Sequence, residues 1–345
     1  MSSGPALDSL GPLDSLHLES GLSLVPRIKL LLTVFRSDKS VSPIDDWKVK
    51  RSIIDYLKNS HSITIPEDND DLQIRKFKDL KKRKREDPVA RGSLVIRELG
   101  FLWKTLGVKK EEENERNEEL EKKYAEWRRG LVEKMDGMEL NLEGTKFKLS
   151  VALPASDDFE AMRKDWEEMV AFGTRGYSRS SRQQPDTIIL RGVPSRWFAE
   201  PRVSSKPSML VTHSIISAFG QIRNLDVAED NGYGGDADED GPEIVPGLQC
   251  KIVVRFEKYK DFYSALKFLC GRSFQKQGSR LRADYEVTWD KDGFFRNSRT
   301  QTEERSRWEP ARGTGLGNYR GEAPRRNYHG TRFSPDEARP KRFRE

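Results

Sequence analysis

Apolar positions arrive in short bursts separated by charge, and their spacing alternates between strand and helix periods. IKLLLTVF (28–35) is a continuous apolar run of strand length. PIDDWKVKRSIIDYLKNS (43–60) reads as a helix opened by acidic residues, with Trp47, Ile53, Ile54 and Leu57 apolar. DLQIRKF and GSLVIREL read as strands on either side of a charged loop. In KKEEENERNEELEKKYAEWRRGLVEKM, the residues Leu120, Tyr124, Trp127, Leu131 and Met135 share one helical face. Acid lies early and Arg128 and Arg129 late, as the helix dipole favours. MELNLEGTKFKLSVAL (138–153) closes the unit as a strand pair. The order is strand, helix, strand, strand, helix, strand.

A further helix, SDDFEAMRKDWEEMVAF, has Ser156 as its expected N-cap and Phe159, Met162, Trp166 and Met169 on one face. The polar stretch GTRGYSRSSRQQ follows. From Thr187 the six-element order repeats: TIILRGV, a helix around SMLVTHSIISAFG, QIRNLDV, a Gly and acid loop, CKIVVRFE, the helix KYKDFYSALKFLCG, and SRLRADYE as the last strand. The pattern therefore predicts five segments. Residues 1–24, with LDSLGPLDSL, are expected to be disordered, and 25–155 form an α+β domain. A helix and Ser/Arg linker occupies 156–184, a second α+β domain 185–289, and a disordered Arg/Gly-rich basic tail 290–345.

A βαββαβ order gives a four-stranded antiparallel sheet backed by two helices, the ferredoxin-like class. TIILRGVP has the spacing of the first signature of an RNA-recognition motif (RRM), with Pro194 ending the strand. In AFGQIRNLDV, Phe219 packs and Gly220 lets the chain turn, and KIVVRFE places Phe256 where the third-strand signature ends. The fold expectation is an RRM domain at 185–289, preceded by a degenerate RRM-like α+β domain that serves packing or partner contact.

Composition narrows the function. Of 345 residues, 34% are charged and 35% hydrophobic, which describes folded islands joined by polar segments. The formal charge of +6 is concentrated at one end: residues 291–345 hold 14 Lys and Arg against 8 Asp and Glu. No apolar run is long enough to span a membrane, and the acidic N-terminal stretch does not read as a secretory signal. Two cysteines, Cys250 and Cys270, fit a reducing compartment. DADEDG (236–241) opens like an EF-hand loop, but Pro242 follows and Gly247 stands where a bidentate Glu is required. The four histidines are dispersed, and no GxSxG, P-loop or HExxH pattern occurs. Neither a metal, a cofactor nor catalysis is expected.

RRMs hold bases on aromatic platforms. Here those positions are Ile189 on the first strand and Lys251 and Val253 on the third. At about 1 to 3 kcal/mol per stacked base, losing two or three platforms forfeits roughly 2 to 9 kcal/mol. The expected open face retains Arg191, Lys251, Arg255 and Arg282 for phosphate contact or guanidinium stacking. Trp197 and Phe198 either stack a base or plug the sheet edge. The tail, with Arg312, Tyr319, Arg320, Arg325 and Arg326, interleaves cations and aromatics as RNA-binding tails do. Lys81, Lys82, Arg83, Lys84 and Arg85 form a run that a nuclear import receptor would read, or else a solvated charge run. SRSSR (178–182) and Ser334 before Pro335 are phosphorylation candidates. A competing reading is a protein-binding module. RRM variants of the U2 auxiliary factor homology type hold a partner's Trp with an Arg-x-Phe, and Arg272 and Phe274 stand at that place; the acidic first helix of those variants is missing.

PDTIILRGVPSRWF, FGQIRNLDV and, upstream, an apolar strand followed by DDWKVKRSI resemble the A-kinase anchoring protein 17A family of splicing-associated nuclear proteins. The resemblance implies a nuclear location, binding to pre-mRNA and work beside splicing proteins. The family's animal members also carry a long charged coiled region with kinase-anchoring helices and an extensive Arg/Ser tail. The sequence after residue 289 matches neither, so this chain is expected to be a shortened form without protein kinase A anchoring.

Overall fold

The computed structural model describes residue 7 and residues 10–37, 45–66, 71–77, 87–105, 117–142, 144–173, 184–230 and 247–295. Its elements run β1 (Leu16–His17), β2 (Leu22–Pro26), β3 (Ile28–Arg36), α1 (Asp46–His61), β4 (Leu72–Lys76), β5 (Ala90–Ile96), α2 (Gly100–Thr105), α3 (Asn117–Met135), β6 (Glu139–Leu142) and β7 (Thr145–Ala152). Then come α4 (Phe159–Gly173), β8 (Thr187–Pro194), α5 (Met209–Ile216), β9 (Ile222–Glu229), β10 (Gln249–Phe256), α6 (Tyr259–Leu269), β11 (Arg272–Lys276), β12 (Arg282–Ala283) and β13 (Glu286–Trp289). The architecture is mixed α+β with antiparallel sheets.

The first large sheet has the order β4-β5-β3-β7-β6. Strict alternation in β3 buries Ile28, Leu30, Leu32 and Val34 and turns Lys29, Leu31, Thr33 and Phe35 the other way. The buried set packs with Val49, Ile53 and Leu57 of α1 and Leu131 and Met135 of α3. α1 starts where the Asp45 carboxylate accepts from the Trp47 N–H at 3.1 Å, and ends at Ser62 in the left-handed conformation.

The second large sheet has the order β13-β8-β10-β9. Ile188, Leu190, Ile252, Val254 and Phe256 form its core face, against Ile215 and Ile216 of α5 and Phe262, Leu266 and Leu269 of α6. The register of β8 on β10 shifts between Cys250 and Ile252, so Arg191 and Gly192 form a bulge opposite Lys251. Gly192 sits at φ +75, which the bulge requires and a side chain would resist. Gly220 has no room for a side chain, since a Cβ there would lie 2.5 Å from Asp261 Cβ.

Three expectations change. Residues 1–24 are not disordered from Leu10 onward: β2 pairs with β11 and β1 with β2, in a small sheet of order β1-β2-β11-β12. Leu16, Leu18, Leu22 and Leu24 enter the core of the second module. The expected linker helix α4 is also part of that core, with Trp166 edge-on to Phe262 at 5.7 Å and to Trp289 at 6.3 Å. Asp158, not Ser156, caps it, accepting from the Ala161 N–H at 3.1 Å. Finally, the fourth strand of the second sheet is Glu286–Trp289, which shares only Glu286 with the expected SRLRADYE (279–286), because β11 and β12 divert the chain into the small sheet first.

Charged side chains lock the two modules together. The Arg27 guanidinium, 1% exposed, donates to Asp157 Oδ2 at 2.6 Å, Asp157 Oδ1 at 3.3 Å, the Tyr285 carbonyl at 3.1 Å and the Arg272 carbonyl at 3.2 Å. Arg97, at the end of β5, grips Asp284 through two 3.0 Å bonds and Asp71 through one of 2.5 Å. Burial alone would raise the Asp284 carboxyl, but the Arg97 hydrogen bonds, the Arg27 and Arg97 charges and the Ser273 hydroxyl hold it below the usual carboxylate range. Burial pushes the Asp157 carboxyl up, against the opposing pull of Arg27.

Candidate nucleic-acid interface

The open face of the second sheet is where an RRM would hold RNA. Alternation places Ile189 and Arg191 of β8 and Lys251, Val253 and Arg255 of β10 on that face, opposite the core set. The cations do not stand alone there. Arg255 Nε is bonded to Asp186 Oδ2 at 2.7 Å, and Arg191 lies in register with Glu286. Val253 pairs with Asp226 and is 1% exposed, so the middle of the face is closed to a base. Lys251 sits opposite the bulge with its ammonium 5.2 Å from the centre of the Phe294 ring.

Phe294 was not among the residues the sequence singled out. It follows β13 in a turn organised by Asp290, whose carboxylate accepts from the N–H groups of Asp292, Gly293 and Phe294 at 3.1, 3.1 and 2.6 Å. Phe295 packs edge-on to it at 5.2 Å. The sequence signal was DGFF, an Asx-turn donor set followed by two aromatics, directly after the last strand. Fold signatures stop at the strand, so the aromatics fell to the tail.

Four expected contact residues have other surroundings. Phe198 is 0% exposed and stacks edge-on with Phe274 at 5.4 Å, which makes it a core plug. Trp197 packs against the same core, partly buried. Arg282 leaves the open face altogether: it lies on β12 and donates to Gln275 Oε1 at 3.3 Å. Val253 is closed off as described. The Arg-x-Phe pair is likewise occupied by this chain. Arg272, with its ring-facing guanidinium 3.8 Å from the Phe268 centroid, donates to the carbonyls of Asp14 at 2.6 Å and Gly11 at 2.9 Å. Phe274 is fully buried between Phe198 and Tyr285. Burial lowers the Arg272 pKa to about 10, which leaves it cationic at neutral pH. The residues Lys81, Lys82, Arg83, Lys84, Arg85, Arg312, Tyr319, Arg320, Arg325 and Arg326, with SRSSR, lie outside the described residues.

Burial pushes the Cys250 thiol up to about 12 and Cys270 well above its ordinary value, so neither is a thiolate nucleophile. Among the described residues no group of three His, Cys, Asp or Glu is placed to hold a metal ion, and no helix is long and apolar enough to cross a membrane.

Helix-backed antiparallel sheets with basic residues on their strands define an α+β protein with open sheet faces. A family model described as "AKAP-17A-like, RNA-binding domain" matches residues 111–314, more than half of the chain, and the chain belongs to that family. A curated relative, A-kinase anchor protein 17A of Homo sapiens, is 27% identical over 164 residues, which is 45% of this chain and 24% of the relative. The match thus spans about a quarter of that relative's length.

Proposed function

We propose that this protein binds RNA, pre-mRNA in particular, in the nucleus and acts with splicing proteins in splicing or a related processing step. The observation that carries the reading is membership of a family named for RNA binding, with a match that spans β8 to β13 of the second module. Both modules are read as RRM-like βαββαβ units, the first with β6 as an added edge strand and the second with β11 and β12 inserted before its last strand. On the second module the contact set is Arg191 and Lys251 around the bulge, with Phe294 supplying an aromatic face that the third strand lacks. The basic segment beyond residue 295 adds phosphate contacts. Lys81 to Arg85 serve nuclear import, and kinase anchoring is not part of the reading. The peptide-adaptor reading loses its footing because Arg272 and Phe274 are engaged by the chain's own N-terminal segment.

The test is RNA crosslinking in cells with the unmodified chain, a chain ending at residue 295, and Arg191→Ala with Lys251→Ala. The expected result is recovery of RNA by the unmodified chain and less by each variant. A whole chain that recovers splicing proteins but never RNA contradicts the reading.

A further inference from the structure

The open face of the first sheet carries a charge pattern unlike that of the second. Arg75 of β4 lies directly across from Arg91 of β5, which in turn pairs with Thr33 of β3, itself paired with Ser150 of β7. One row over, Phe35 pairs with Lys148, and Lys148 with Glu139. Lys29 and Lys146 extend the basic set at either end, and Arg75, Arg91, Lys146 and Lys148 are solvent-exposed. Glu139 is the single carboxylate among the strand residues of this face, and it lies 4.0 Å from Lys146. The remaining positions are hydroxyl, amide or apolar, including Leu31 at 41% exposure.

Two physical points follow. Like charges directly opposite one another across a strand pair are destabilising. Arg75 and Arg91 therefore repel across the strand pair, while the Arg91 guanidinium lies over the Phe77 ring at 5.4 Å, and an approaching phosphate adds negative charge beside both. Second, the cations span β4 to β7, three inter-strand spacings or about 15 Å, a band rather than a point, which fits a chain of phosphates better than a single anion. Phe35 is the one aromatic among the strand residues of this face, so contacts to the RNA backbone outnumber base-stacking positions.

We propose that the open face of the first sheet is a second RNA-binding surface, a phosphate-tracking one that engages single-stranded RNA through Arg75, Arg91 and Lys148 with little sequence preference. The proposal rests on the RNA-binding reading above and extends it to strands β3 to β5, which lie outside the family match. An acidic protein segment is the competing occupant, and the test separates the two.

The full-length chain is titrated with fluorescein-labelled oligouridine, by anisotropy, across about 50 to 200 mM salt. Against it stand a neutralised variant (Arg75→Gln, Arg91→Gln, Lys148→Gln) and a charge-preserving one (Arg75→Lys, Arg91→Lys, Lys148→Arg). Thermal melts of both check that the fold persists. At about 0.7 slope units per phosphate contact on single strands, the neutralised variant should lose about 2 units of the log affinity against log salt slope and bind about tenfold or more weakly. The charge-preserving variant should keep the slope. A neutralised variant that binds with the slope of the unmodified chain overturns this proposal and leaves RNA binding by the rest of the chain intact. If the unmodified chain fails to bind oligouridine, the broader RNA reading falls and this surface with it. If neutralisation abolishes binding of polyglutamate but not of RNA, the face serves an acidic protein segment and the proposal is wrong.

Discussion

The first and second sheets place their strands in the same sequence-relative order, yet their open faces differ in charge balance. On the first, the strand residues bring five cations and one carboxylate, two arginines stand directly opposed, and Asp136 and Asp157 lie within electrostatic reach of Lys148 and Lys29. On the second, Arg255 is bonded to Asp186, Arg191 faces Glu286, and Val253 beside Asp226 is closed off. Phe294 then reaches Lys251 from beyond the last strand. The strand order sets which side is open, whereas a few alternate positions decide what that side attracts. The module with the clearer RRM signature thus offers the more neutral face, and the one without a signature offers the more basic one.

Buried charge pairs join the modules that carry the two faces, and Arg27 tests that join most strongly. Arg27→Ala leaves the buried Asp157 carboxylate without its partner and should cost about 3 to 5 kcal/mol. Chemical denaturation should show one transition at a lower midpoint; two separated transitions would mean that the modules melt independently and the faces must be compared as separate domains. Leu24→Ala is next, at about 2 to 5 kcal/mol, because Leu24 is fully buried in the second module's core although it precedes that module by more than a hundred residues in sequence. A change in stability near zero would show that the N-terminal strand is dispensable to the second face.

Arg97→Gln should cost about 2 kcal/mol at neutral pH through loss of charged hydrogen bonds to Asp284 and Asp71. Its pH dependence has a definite sign. The Asp284 pKa is depressed in the folded state, so its contribution is present above the ordinary carboxylate value of about 3.9 and is lost as pH falls through the folded value. Asp157, raised by burial, acts with the opposite sign, which is why the measurement must be the difference between variant and unmodified chain. That difference should shrink on acidification; a constant difference would remove Asp284 from the account.

On the second face, Phe294→Ala should weaken RNA binding by about 1 kcal/mol, the low end for one stacked base. Tighter binding instead would identify Phe294 as a cover over Lys251. The smallest effect belongs to Arg282→Ala, expected within about 0.5 kcal/mol for RNA affinity, because Arg282 lies on β12 and off both open faces.

Much of the fold was legible in local pattern. TIILRGVP predicted β8 and its end at Pro194, since Ile188 and Leu190 alternate with Ile189 and Arg191; the bulge in which Gly192 takes a positive φ shows only in the pairing with β10. The N-terminal strand was not legible. Its leucines sit among Ser, Asp and Gly, and the strand they pair with, β11, lies roughly 250 residues away, so no local window contains the burial that orders them. Arg272 and Phe274 were noticed as an Arg-x-Phe placed before the last strand, but Arg272 donates to that same distant segment and Phe274 pairs with its Leu24 across the small sheet. The cations of the second sheet were legible one by one, and their neutralisation was not, because Asp186, Asp226 and Glu286 become neighbours only through strand register. The first face was missed for the converse reason: Arg75, Arg91 and Lys148 come from three separate segments, each ordinary in charge.

The most direct test is a crosslink map of the full chain on single-stranded RNA containing 4-thiouridine, read peptide by peptide by mass spectrometry. Crosslinks in residues 71–96 or 146–152, together with crosslinks in 249–256 or 290–295, are the expected result. Crosslinks confined to residues 296–345, with both sheets untouched, would contradict the account.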